Sequence, residues 1–402
     1  MQETWRWFGP QDQVSLSDVT QAGASGIVTA LHHIPPGVIW PLSEITERRD
    51  YIAENSVRSQ RPLKWSVVES LPVSEDIKRQ TGSWREHVEH YKTSLENIAL
   101  AGIEVICYNF MPLLDWTRTD LSHEVDTGAT CMRFDLVDFI MFDVFILKRH
   151  GASEGHDDEL VTEAHHRFQS TNETYKKRLV DNIVCGLPGA AEHFSLDDIK
   201  EQLAIYAAFD HDQLARNQTD FLEEVAPVAQ TLGLRLCCHP DDPPVPLLGL
   251  PRIMSTEADY ERLIEAVDIP ANGITLCSGS LGARSDNDLP GMMDRLGDRV
   301  HFLHLRNVRR EHDGVFGSFH ESEHLSGDVD MPSLVAAILR EENRRKSAGR
   351  ADHSIPFRPD HGQDILDDLT RKAQPGYPAI GRLKGLAELR GLIDGLSYES
   401  GR

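Results

Sequence analysis

Short runs of apolar, often β-branched residues alternate with longer amphipathic stretches along this chain, and the alternation recurs eight times. Strand-then-helix units in series call for parallel strands joined by helical crossovers. The strand-like runs are residues 5–8, 26–31, 64–70, 104–110, 234–239, 273–278, 299–306 and 354–360. Amphipathic stretches follow at 15–23, 41–55, 84–101, 213–232, 256–267, 288–296, 331–349 and 379–396, with Gly102 placed to cap the third. Eight units favour closure into an α/β (β/α)8 TIM barrel over an open doubly wound sheet. No Gly-x-Gly-x-x-Gly follows the early strands, which argues against a dinucleotide fold.

The rhythm breaks once. Between about residues 115 and 210 no strand-like run of similar strength occurs; 136–149, 163–184 and 195–208 read as helices and 151–163 as a polar, acidic stretch. The segment reads as a helical insertion after the fourth strand, within one domain spanning 1–402. A separate helical domain is the competing description. Barrels run from ~200 to over 400 residues with insertions, so the length of 402 suits one domain.

Charge narrows the partners. Sixty-four acidic against 41 basic residues give a net charge of −23. Such a surface repels nucleic acid and anionic membrane, and an anionic small-molecule substrate would need a locally basic pocket. The six cysteines, Cys107, Cys131, Cys185, Cys237, Cys238 and Cys277, are scattered, which suits a reducing compartment rather than a disulfide framework. The start of the chain has no basic-then-apolar leader, and no apolar run reaches the ~18 residues of a membrane span. A cytoplasmic protein is expected, and a homo-oligomer, taken as a dimer.

In barrels of this kind the active site lies at the C-terminal strand ends. The fifth strand ends in Cys238-His239-Pro240-Asp241-Asp242, the sixth in Cys277-Ser278-Gly279, the seventh in His304-Leu305-Arg306 and the eighth in Arg358-Pro359-Asp360-His361. Taken singly, a core histidine or a buried cysteine is ordinary. Four potential ligands, His239, Cys277, His304 and Asp360, on four successive strand ends are not, because adjacent strands lie only ~5 Å apart. Imidazole and thiolate suit Zn2+ or Fe2+, and carboxylate suits Mn2+. Cys237 and Cys238 point to opposite faces of one strand and are expected to pack. Arg306 and Arg358, each beside a proposed ligand, are candidates to grip a substrate carboxylate. The first half contributes His32, His33, Glu69, Tyr108, Asn109, Asp115 and Arg118 at or just beyond strand ends.

The segments TWRWFGP, TALHHIP, WSVVES, YNFMPLLDWTRTDL, HPDDPP, GLPRIMST, RPDHG and GYPAIGRLKGLAELRGL together resemble the bacterial mannonate dehydratase family, nearly end to end. That resemblance implies a xylose-isomerase-like barrel, Mn2+ or Fe2+ as cofactor, and a hydro-lyase converting D-mannonate to 2-dehydro-3-deoxy-D-gluconate in hexuronate breakdown. It implies His239, Cys277, His304 and Asp360 as metal ligands, and Arg358, Asp360 and Tyr377 as catalytic residues. His33, Asn109, Arg306 and His361 are then expected at the substrate. Tyr377 and Asp360 are the first candidates for proton transfer, with His33 and His361 behind them. A tyrosine base would need its pKa lowered by a nearby cation. A sugar isomerase or epimerase on the same scaffold is the nearest rival. A multi-metal phosphodiesterase or nuclease would want a basic groove, and a non-catalytic binding protein has no need of such a ligand set.

Overall fold

The computed structural model describes residues 1–56, 62–184 and 195–400. In chain order its strands are β1 (Gln2–Arg6), β2 (Gly26–Thr29), β3 (Lys64–Glu69), β4 (Val105–Tyr108), β5 (Asp120–Glu124), β6 (Thr130–Phe134), β7 (Arg235–Cys238), β8 (Asn272–Cys277), β9 (Val300–His304), β10 (Asn307–Arg310), β11 (Phe319–Ser322) and β12 (Pro356–Arg358). Eight of them, in the order β1-β12-β9-β8-β7-β4-β3-β2, pair in parallel and close into a barrel. Each of the eight expected strands is in it.

The barrel's interior explains where the chemistry sits. Val28, Val67, Val105, Cys107, Cys237 and Phe302 form a buried cluster separate from the larger core between strands and helices. Side chains alternate along a strand, so the residue two further on shares the inward direction. From Val67, Cys107, Cys237 and Phe302 that step reaches Glu69, Asn109, His239 and His304. The ring of Phe302 stands edge-on beneath His304, with centroids 4.7 Å apart. A dry apolar layer thus floors a polar one. Both Cys237 and Cys238 are buried in packing clusters, the first inside the barrel and the second outside it. Among the described residues the cysteines are free thiols, all buried; Cys185 lies outside them.

Local signals place the outer helices. Ser15 and Thr256 each form a capping box with the acid three residues on, Asp18 and Asp259. Asp288 and Asp330 cap the helices Leu289–Leu296 and Met331–Ser347. Pro41 stands at the N-cap of Leu42–Asn55, one residue outside the helix.

The insertion follows the fourth barrel strand as expected, but it is not purely helical. It opens with the hairpin β5–β6, which joins β10 and β11 in an antiparallel sheet of order β10-β11-β6-β5. The expected helix over 136–149 is a short α-helix, Leu136–Ile140, running into a π-helix, Met141–Leu147. The run 163–184 is two helices, Asp158–Ser170 and Glu173–Val184. These elements share a small core of their own, including Phe134, Phe139, Ile140, Phe142 and Ile183, which extends to Val308 and Phe319 of the added sheet. Phe134 stacks on Phe319 with centroids 5.8 Å apart. The sheet is therefore tied to the end of β9, and so to the barrel mouth. No described helix is long and apolar enough to cross a membrane.

Candidate active site

Four expected ligands converge. His239, Cys277 and His304 offer donor atoms that all lie within 4.8 Å of one another. Asp360 Oδ2 is 3.6 Å from Cys277 Sγ and 3.7 Å from His304 Nδ1. Strand register accounts for the meeting: both Cys277 and Arg358 pair with His304, from opposite sides. His239 donates from Nδ1 to the carbonyl of Pro240 at 2.7 Å, which leaves its Nε2 lone pair facing inward. His304 turns Nε2 towards Glu69 Oε1 at 3.5 Å and presents Nδ1 to the same centre. His239 Nε2 and His304 Nδ1 stand 3.1 Å apart, with Arg358 Nη2 3.5 Å from the latter.

A lattice of buried ion pairs surrounds this quartet. Arg358 donates to both oxygens of Glu69, at 3.1 and 2.8 Å, and also to Asp360. Arg306 pairs with Glu321 and Asp242, each at 2.6 Å, and with Asp360 at 2.8 Å, and donates to Ser280 at 3.0 Å. Arg118 binds Asp242 at 2.7 Å and Glu321 at 2.9 Å. Arg6 bonds the carbonyl of Glu69 and lies 3.5 Å from its carboxylate. Gly279 makes room for Arg306, since a Cβ there would sit 2.5 Å from the arginine Cγ. Four guanidiniums thus face four carboxylates, those of Glu69, Asp242, Glu321 and Asp360, and the set is electrically balanced. Burial resists ionisation of Asp360, but Arg358 and then His361, His304 and Arg306 hold its carboxyl well below the usual range. Asp360 sits at a backbone φ of 61°, a left-handed conformation uncommon for a residue with a Cβ and frequent at functional sites.

One wall is aromatic. Tyr377 Oη donates to His361 Nε2 at 3.2 Å, and His361 Nδ1 donates to Glu321 Oε1 at 3.1 Å. Phe8 packs edge-on against Tyr377 at 4.9 Å, and Trp116 against His361 at 6.4 Å. Burial pushes the Tyr377 phenol up to about 12, against the pull of Arg358. That differs from the lowered value a tyrosine base would need.

The remaining expected residues fall differently. His33 is 54% exposed and bonds Glu44 at 3.0 Å, away from the quartet. Its neighbour His32 is the one that turns inward, against Arg6 at 3.2 Å and the Phe8 ring. Burial, then Arg6, keeps His32 well below the usual histidine range. Asn109 is buried and bonds Asp115 at 3.3 Å rather than any member of the quartet. Arg306 and Arg358 are at the site, but their donors are engaged by protein carboxylates. Glu321 and Asp242 went unnamed as site residues from the sequence. Asp242 was visible in HPDD; Glu321 was not, because it arrives on β11 of the added sheet.

The chain matches the D-mannonate dehydratase (UxuA) family over residues 1–401. It is 55% identical over 398 residues to mannonate dehydratase 1 of Agrobacterium fabrum, covering 99% of this chain and 98% of that protein. It is 54% identical over 398 residues to the mannonate dehydratase of Rhizobium meliloti, with the same 99% and 98% coverage. The crystal structure of mannonate dehydratase from Streptococcus suis serotype 2 aligns with a TM-score of 0.76 at 31% identity, covering 100% of this chain and 95% of that one.

Proposed function

Because this chain belongs to the D-mannonate dehydratase family, a family of hydro-lyases, we propose that it removes water from D-mannonate to give 2-dehydro-3-deoxy-D-gluconate, using one divalent cation, Mn2+ or Fe2+. His239, Cys277, His304 and Asp360 are the ligands in this reading, and we place the reaction in cytoplasmic hexuronate breakdown.

The observation that carries the cation is the pair of imidazole nitrogens of His239 and His304, facing each other at 3.1 Å beside a thiol and a carboxylate. Two inward lone pairs repel unless a proton or a cation lies between them. Charge points the same way. The four buried guanidiniums and four carboxylates cancel, so they leave nothing over for a substrate carboxylate. A divalent cation on two neutral imidazoles and one thiolate adds a single net positive charge, enough for one sugar acid. When bound it supplies Lewis acidity to the substrate carboxylate and C2 oxygen, making the C2 proton removable.

The protein's own groups handle the protons. The C2–H bond breaks, its electron pair forms the C2–C3 double bond, and the C3 hydroxyl leaves with a proton as water. His361 is assigned the C2 proton, because Glu321 occupies its Nδ1–H and so Nε2 carries the lone pair. Tyr377 is assigned the proton given to the departing hydroxyl, which suits a phenol held at about 12. Asp360, held ionised by Arg358 and Arg306, is too weak a base for either task. The enol product then tautomerises to the ketone. Arg306 and Arg358 position Asp360, Glu321 and Glu69 in this scheme rather than gripping substrate.

The deciding assay incubates the protein with D-mannonate and follows a 2-keto-3-deoxy product. Product that vanishes on chelation and returns with Mn2+ supports the reading; isomerised or epimerised sugar acid without loss of water would replace it.

A further inference from the structure

The added sheet carries a second group of ligating side chains, on the face turned away from the active site. His123 of β5, His320 of β11 and Glu311, just beyond β10, present donor atoms within 4.8 Å of one another. Three separate chain segments therefore meet there. The two imidazole rings have centroids 5.5 Å apart. His320 donates from Nδ1 to Glu311 Oε1 at 2.8 Å. A ring nitrogen and a carboxylate oxygen at that spacing can take one cation between them in place of the shared proton.

The surroundings suit a cation. Arg133, in register with His320 on β6, is already neutralised, by Glu311 at 2.6 Å and by Asp135 at 2.7 Å. Neutral imidazole and ionised carboxylate are the ligating forms.

We propose that His123, His320 and Glu311 form a structural site for a borderline divalent cation of the zinc class, which clips β5 to β11 across β6. Two imidazoles and one carboxylate suit Zn2+ better than Mg2+ or Ca2+. The site has a consequence for the barrel mouth. Glu321, next to His320, projects from the opposite face of β11 to hold Arg306 and His361. A cation on the outer face would stiffen the strand that delivers Glu321.

The test counts zinc. Full-length protein is equilibrated with micromolar ZnCl2, freed of loose metal on a desalting column and analysed by mass spectrometry for zinc per chain. His320→Gln and His123→Gln are treated alike, the second guarding against a folding fault in the first. Each variant is expected to hold one zinc fewer than the unmodified chain and to keep its dehydratase activity. The rise in melting temperature that added Zn2+ produces should shrink in both. A zinc anomalous peak between His123 and His320 would fix the position. An unchanged zinc count in both variants, or no anomalous peak at this group, overturns the proposal.

Discussion

Nε2 of His239 lies 3.1 Å from Nδ1 of His304, and each imidazole is turned by its outer nitrogen, one by the Pro240 carbonyl and the other by Glu69. In the proposed reading a cation lies between these two nitrogens, and Cys277 closes the third side. Cys277→Ser should lower Mn2+ retention at least ~10-fold, as replacing a thiolate by a weaker donor does, with dehydratase activity falling in proportion. Metal content equal to that of the unmodified chain would take Cys277 out of the ligand set.

Tyr377→Phe removes one hydroxyl and leaves the ring that packs on Phe8 and His361. Substrate binding should change little, while kcat drops by roughly 10²–10⁴, the usual weight of a general acid. The check is the split between kcat and KM in steady-state kinetics. An unchanged kcat would reduce Tyr377 to a packing role.

How far this site was legible follows from how each residue reaches it. His239, Cys277, His304 and Asp360 come from strand ends, and a strand-then-helix rhythm locates strand ends. Glu321 comes from β11, a short inner strand of an added sheet whose first strand, Asp120–Glu124, is polar and half-exposed. Such a strand has no apolar alternation to betray it; it pairs with its hairpin neighbour β6, which in turn pairs with β11, distant in sequence. The same dependence hid the hairpin inside what reads as a helical insertion. The engagement of Arg306 and Arg358 was equally invisible, because Asp242 lies 64 residues from the first and Glu69 lies 289 residues from the second.

His32 and His33 show a finer limit. Both follow β2, and the two-residue alternation that turns Val28 inward extends to His32. His33→Ala should leave kcat/KM within about 2-fold, since exposed ion pairs contribute little. His32→Ala should lower it by ~10-fold or more through loss of the contact that orients Arg6 beside Glu69. The reverse ranking in steady-state assays would return His33 to the substrate.

Glu321→Gln keeps shape and removes charge. It leaves Arg306 and Arg118 short of a buried counter-ion and frees the Nδ1 tautomer of His361. Breaking a buried pair costs on the order of 3 kcal/mol, so the denaturation midpoint should fall. Catalysis should fall separately, by roughly 10–100-fold in kcat, the range seen when an orienting partner is lost. Measuring kcat on the fraction still folded separates the two; folded protein with full kcat would leave Glu321 a structural role only.

His301 lies three residues before His304 on β9 but belongs to the fold rather than the chemistry. Its Nε2 donates to the Pro270 carbonyl at 3.0 Å, and a Cβ on Gly273 would collide with its ring at 2.3 Å, so the imidazole fills a space reserved for it. Burial, with Arg345 and Arg235 nearby, lowers its pKa to about 3. An unfolded histidine titrates near ~6.5. Between those values the unfolded chain binds a proton that the native chain refuses, so stability is full above ~6.5 and declines as pH falls towards 3. At the lower end the loss from this one group is on the order of 4 kcal/mol, at 1.36 kcal/mol per pKa unit. His301→Gln retains a donor for Pro270 and does not titrate. Urea midpoints taken from pH 7 down to pH 4 should therefore fall less steeply for the variant than for the unmodified chain. Parallel curves would mean that His301 is already protonated in the native state, and that Arg345 and Arg235 do not exclude its charge.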